Sequence, residues 1–192
     1  MRVRAGFVEN GPGEGPLDAF DTMLDMMERF SGFFIVDLEG LEKGSPDMEL
    51  LQDCGENFRV IADTGVRNIE DAMDTAMTGV AGVVCDPSMM EDSIEKVAGL
   101  LENVYIKTRQ PDACMGDRFP LSRIAGIILD GNPGDWSHGL LESMASDVGE
   151  VCLLHHTGIS LDALPENVCR IVSLGSIGRT EAYGGSSNGA IG

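Results

Sequence analysis

A chain of 192 residues, 43% hydrophobic and 23% charged, has the composition of one globular domain and is short for two. Its formal net charge of −19, from 32 acidic against 13 basic residues, repels phosphate backbones and anionic lipid, which excludes nucleic acid and membrane surfaces as expected partners. Five scattered cysteines without a CxxC pair, no apolar run near about 18 residues and no charged-then-apolar leader predict buried free thiols in a soluble, cytoplasmic protein.

Along the chain one unit recurs: a short apolar run ends in a polar residue and a turn, and an amphipathic stretch follows. The first run is Val3–Val8. Pro16-Leu17-Asp18 then opens a predicted helix with Leu17, Phe20, Leu24, Met27 and Phe30 on its apolar face. Next come the runs Phe33–Val36 and Arg59–Ala62, and a helix that Asn68 caps and Gly79 stops. After the run Gly82–Cys85, Ser88 and Glu91 resemble a capping box ahead of Ile94, Val97 and Leu101. The runs Val104–Lys107 and Gly126–Leu129 precede a helix from Ser137 to Val148 closed by Gly149. Val151–Leu154, a helical stretch from Ser160 to Leu164 and Arg170–Leu174 complete the series.

Eight such runs, nearly continuous in hydrophobicity, read as parallel strands covered on both faces. Strands alternating with helices predict an α/β protein, and eight units favour a closed (β/α)8 TIM barrel. The barrel is expected as one compact domain over 1–180. Residues 181–192, rich in Gly and Ser, read as a flexible tail, so the last helix is missing or reduced. The strip of wall left uncovered predicts a homo-oligomer.

In this architecture chemistry belongs at the C-terminal strand ends. Those ends read Glu9-Asn10, Asp37, Asp63-Thr64, Asp86, Lys107-Thr108-Arg109, Asp130, His155-His156-Thr157 and Gly175-Ser176. Carboxylates crowded on one rim raise one another's pKa values, which lets a general acid and a general base coexist. Lys107 and Arg109 either neutralise neighbouring aspartates, or bind an anion or a carbonyl, with a Schiff-base lysine as a sub-case. His155 and His156 alternate across a strand, so at most one faces the mouth. Thr157-Gly158 and Gly175-Ser176-Ile177-Gly178 stand after strands seven and eight, where backbone N–H groups can cradle phosphate or where glycine simply serves a turn.

Three blocks resemble a known family. Phe34 to Asp47 (FIVDLEGLEKGSPD) is similar to the second strand and loop of the histidine-biosynthesis barrels, the ribonucleotide isomerase and its cyclase sister (HisA/HisF-like). Ala62 to Ala72 (ADTGVRNIEDA) looks like their third strand, and Gly79 to Pro87 (GVAGVVCDP) like their fourth. The likeness runs from about Phe33 to Met90 and is topological beyond. It implies a barrel that binds a phosphorylated ribose ligand at two phosphate sites, with acid/base aspartates ending strands one and five. Asp37 and Arg67 fall on family motif positions, whereas Glu9-Asn10 and Lys107-Thr108-Arg109 stand at the first and fifth ends.

The resulting expectation is a divergent isomerase or lyase acting on a small phosphorylated or carboxylated metabolite, with no cofactor or metal called for. Asp37, Lys107, Asp130 and Glu9 are its catalytic candidates. Thr64, Gly65, Arg67, Arg109, Thr157, Gly158, Gly175, Ser176 and Gly178 are its substrate- or phosphate-binding candidates. The competing expectation is a catalytically silent barrel that binds a ligand or assembles with partners.

Overall fold

The computed structural model describes residues 1–8, 17–90, 92–109, 121–131, 138–154, 168–171 and 190–191. Strands β1 (Arg2–Arg4), β2 (Phe7–Val8) and β3 (Leu17–Asp18) open the chain, followed by helix α1 (Ala19–Met26) and strand β4 (Phe33–Asp37). Helices α2 (Leu38–Lys43) and α3 (Met48–Asn57) lead to β5 (Val60–Asp63). Then α4 (Ile69–Met77), β6 (Gly82–Cys85), α5 (Ile94–Leu100) and β7 (Val104–Thr108) alternate. A 3₁₀ turn (Leu121–Arg123), β8 (Gly126–Leu129), α6 (His138–Asp147), β9 (Glu150–Leu154), β10 (Val168–Ile171) and β11 (Ala190–Ile191) complete the described chain.

From β4 to β10 spatial order follows chain order, and each strand runs parallel to the next. This main sheet curls into a half-barrel of seven strands. β1 pairs parallel with β4 on one flank, and β11 pairs parallel with β10 on the other. Among the described residues the sheet is an open series, because β1 takes β2 as its second neighbour and β10 takes β11.

Six of the eight predicted runs become single strands with ends displaced by a residue at most, and of the eighth Arg170 and Ile171 fall in β10 while 172–174 lie outside the described residues. The first does not. Val3–Val8 is a hairpin, with Val3 opposite Val8 and Arg4 opposite Phe7. Its two-residue turn has Ala5 at φ 49° and Gly6 at φ 79°. Positive φ at both central positions is the geometry whose twist matches a tight hairpin. The first parallel strand therefore ends at Arg4, while Glu9 and Asn10 lie outside the described residues. The capping box predicted to start at Ser88 is corrected as well. α5 is capped by Ser93, whose Oγ accepts the Lys96 N–H at 3.4 Å, and Ser88 instead donates to Asp86.

Helix α1 begins later than its apolar pattern predicts, because Asp18 serves as N-cap and accepts the Asp21 N–H at 3.0 Å. That phase buries Ala19 and Met23, and leaves Leu17, Leu24 and Met27 exposed. Asn68 caps α4 as expected, accepting the Asp71 N–H at 2.9 Å, and Gly79 follows its end at φ 82°.

Strand alternation divides the core in two. Phe33, Ile35, Val60, Ala62, Val83, Cys85, Val104, Ile106, Ile127 and Leu129 pack with side chains of α1 and α3–α6. The opposite side chains, Phe34, Ile61, Val84, Tyr105, Ile128, Cys152 and Leu154, form a second buried cluster without helical members. A curled sheet with its helices on one face holds the second cluster on its inner face. Cys54, Cys85 and Cys152 are buried free thiols, as expected. No helix among the described residues is long and apolar enough to cross a membrane.

Candidate active site at the strand ends

Counting by twos along the inner face carries each strand from apolar to charged residues. Ile61 is followed by Asp63, Val84 by Asp86, Tyr105 by Lys107 and Arg109, and Ile128 by Asp130. Four adjacent parallel strands, β5 to β8, thus deliver charged groups to one rim.

Lys107 is the centre of that rim. Its ammonium pairs with the Asp63 carboxylate, and its Nζ lies 4.0 Å from Asp86 Oδ2. The Asp63 side chain is 2% exposed and that of Lys107 13%, so the pair is largely removed from water. Burial pushes the Asp63 carboxyl above its ordinary value, opposed by the charge and hydrogen bond of Lys107 and by the Gly65 N–H. Asp86 is a more open partner. Its Oδ1 accepts from the Ser88 N–H at 2.9 Å and the Ser88 hydroxyl at 2.6 Å, which holds Oδ2 for Lys107. One turn of alternation nearer the mouth, Arg109 Nε lies 3.5 Å from Asp130 Oδ2, with the arginine side chain 82% exposed.

The rim thus holds two sets of ion pairs, Lys107 with Asp63 and Asp86, and Arg109 with Asp130. Asp37 stands apart. Its Oδ1 accepts the N–H groups of Glu39 and Gly40 at 2.9 and 3.1 Å, and its Oδ2 accepts that of Asp47 at 2.7 Å. It caps α2 and fixes the entry to α3, so both oxygens are occupied by the backbone.

Thr64, Gly65 and Arg67 fasten the same corner. Thr64 Oγ1 lies 3.0 Å from Thr75 Oγ1, whose own proton goes to the Asp71 carbonyl at 2.9 Å, so Thr64 is the donor. Gly65 has φ 71°, and a Cβ there would lie 2.8 Å from Leu41 Cα. The Arg67 guanidinium donates to the carbonyls of Leu41 at 3.1 Å and Gly40 at 3.5 Å, near the C-terminal end of α2. At the end of β1, Arg4 grips Glu42 through two bonds of 2.9 and 2.8 Å. Glu9, His155, His156, Thr157, Gly158, Gly175, Ser176 and Gly178 lie outside the described residues.

The opposite rim carries a plug. The Tyr105 ring fills the space over Gly82 and Gly126, and its hydroxyl donates to Glu150 Oε2 at 2.9 Å. Arg59 Nη2 approaches the same oxygen at 3.4 Å. Burial and the Glu150 carboxylate raise the Tyr105 pKa, which keeps the phenol a proton donor.

Asp63 and Asp86 are visible in the sequence as strand-end residues, yet nothing there ranks them above Asp37. Parity is the signal that does. Asp37 shares the helix-facing phase of Phe33 and Ile35, whereas Asp63 shares the inward phase of Ile61. Among the described residues, no group of three or more His, Cys, Asp or Glu is arranged to hold a metal ion. No protein-family model matches the chain, and no curated protein does.

Proposed function

We propose that the chain is a barrel enzyme of isomerase or lyase type, in which the Lys107 amine acts on the carbonyl of a small anionic metabolite. The carrying observation is the Lys107 ammonium held on the inner rim between Asp63 and Asp86. A lysine in such a position can pass a proton to a carboxylate whose own proton affinity is raised by burial. The neutral amine then adds to the carbonyl carbon to give a carbinolamine. Asp63 or Asp86 returns the proton to the carbinolamine oxygen, which leaves as water, and a C=N bond remains. Protonated, that imine draws electrons from the adjacent C–H or C–C bond, the step that isomerases and lyases share.

The same reading takes the curled sheet as part of a closed (β/α)8 ring, and the chain as a divergent HisA/HisF-like barrel. The blocks between Phe33 and Met90 support both. The ligand class is a phosphorylated or carboxylated carbonyl compound, with Arg109 as its anion partner.

Reductive trapping tests this. The protein is incubated with glyceraldehyde 3-phosphate or succinic semialdehyde, treated with borohydride, and weighed intact. A single stable adduct is expected, and its loss in Lys107→Arg. An unchanged mass across both aldehydes contradicts the proposal.

A catalytically silent barrel is the second reading, favoured by Asp37 being engaged in holding α2 and α3 and by Arg67 donating to α2 carbonyls. It predicts no adduct, and a melting temperature that does not respond to phosphate, ribose phosphates or divalent metals.

A further inference from the structure

Resting on Lys107 as the carbonyl-binding amine, we infer that the ligand is a monoanionic carboxylate in which the carbonyl stands three to five bonds from the carboxyl group, and that Arg109 is the residue that selects it. Three observations combine. Lys107 lies on β7 and Arg109 follows two residues later, just past the strand's end at Thr108, so their Cα atoms are at most about 7 Å apart. A three- to five-bond spacing spans about 4–6 Å, which suits two long side chains on that pitch. A carboxylate attached directly to the carbonyl spans less of that separation.

The second observation is the state of Arg109. Its side chain is 82% exposed, and its contact with Asp130 is one 3.5 Å approach through Nε. A single open ion pair of that kind contributes little, so exchanging Asp130 for a ligand carboxylate costs little. The guanidinium fork then binds the planar carboxylate through two parallel N–H donors.

Charge provides the third. On these strand ends Asp63, Asp86 and Asp130 oppose Lys107 and Arg109, three negative charges against two positive. A doubly charged phosphate brought to this rim meets more repulsion than a singly charged carboxylate does. The rim therefore favours the carboxylate.

Trapping rates at Lys107 separate the possibilities. Succinic semialdehyde carries its carboxyl three bonds from the carbonyl, butyraldehyde is its uncharged counterpart, glycolaldehyde phosphate carries a phosphate at the same spacing, and pyruvate has the carboxyl adjacent. The semialdehyde is expected to trap about tenfold faster than butyraldehyde, and faster than glycolaldehyde phosphate or pyruvate. The semialdehyde-to-butyraldehyde ratio should fall towards one in Arg109→Ala, recover in part in Arg109→Lys, and rise in Asp130→Asn, which frees the guanidinium. Circular dichroism of each variant confirms the fold. A ratio near one in the unaltered protein, a ratio kept in Arg109→Ala, or a faster phosphate overturns the inference while leaving Lys107 as the amine. Absence of a Lys107 adduct with every aldehyde overturns the underlying reading, and the inference with it.

Discussion

A buried ammonium–carboxylate pair such as Lys107–Asp63 is held by mutual need, since each charge would be stranded without the other. Asp63→Asn should therefore destabilise the protein by about 3 kcal/mol, while Asp63→Asn combined with Lys107→Met should cost less than about 1 kcal/mol. Urea denaturation of the two singles and the double measures that coupling. The buried thiols make a second residue-scale prediction. Burial raises Cys54 and Cys85 to about 12. A raised thiol pKa favours the folded state below the ordinary value and loses that contribution as pH climbs towards 12. Both should resist iodoacetamide at pH 8 until the chain unfolds, and stability above about pH 9 should fall less steeply in Cys54→Ala/Cys85→Ala. At this scale the sequence shows which residues carry charge at strand ends but not which are free to act. Asp37 and Asp63 look equivalent in the one-letter code. Strand parity and the amides of Glu39, Gly40 and Asp47 converging on Asp37 tell the two apart.

The strands are the most legible elements. Val60–Ala62, Gly82–Cys85 and Gly126–Leu129 are apolar on both faces because both are buried, and that leaves an unbroken run in the sequence. Helix ends are harder to read, because caps compete locally. Ser88 and Ser93 are both plausible starts to α5, and the decision falls to Asp86, which takes the Ser88 hydroxyl. The hairpin at Ala5-Gly6 escapes the apolar pattern altogether, since Val3 and Val8 are cross-strand partners and not one strand. Glycine positions on the inner face answer to Tyr105. A Cβ on Gly82 would lie 2.5 Å from the Tyr105 ring, whereas one on Gly126 would lie 2.5 Å from the Glu150 carbonyl oxygen as well as 2.9 Å from the ring. Gly82→Ala should cost about 1–3 kcal/mol, and less in a Tyr105→Leu background. Gly126→Ala should gain no such relief, because its obstacle is backbone. Chemical denaturation across the two pairs checks this.

The whole molecule gathers its charge unevenly. A formal −19 on 192 residues makes the folded chain repel itself, and added salt screens that repulsion. The melting temperature should therefore rise between about 0.01 and 0.5 M sodium chloride, and a flat or falling response would show that self-repulsion is not a leading cost. Parallel order and curl were legible at this scale from the spacing of the runs, whereas closure was not, because it depends on which strand lies beside β1 and β10. The chain holds three lysines. Lys43 and Lys96 lie on helix surfaces, 61% and 63% exposed and paired four residues away, and only Lys107 faces the inner rim. After borohydride reduction with succinic semialdehyde, peptide mass mapping should place the adduct on Lys107 and leave Lys43 and Lys96 unmodified at the same aldehyde concentration. An adduct spread evenly over the three, or confined to the two exposed lysines, would contradict the account at its centre.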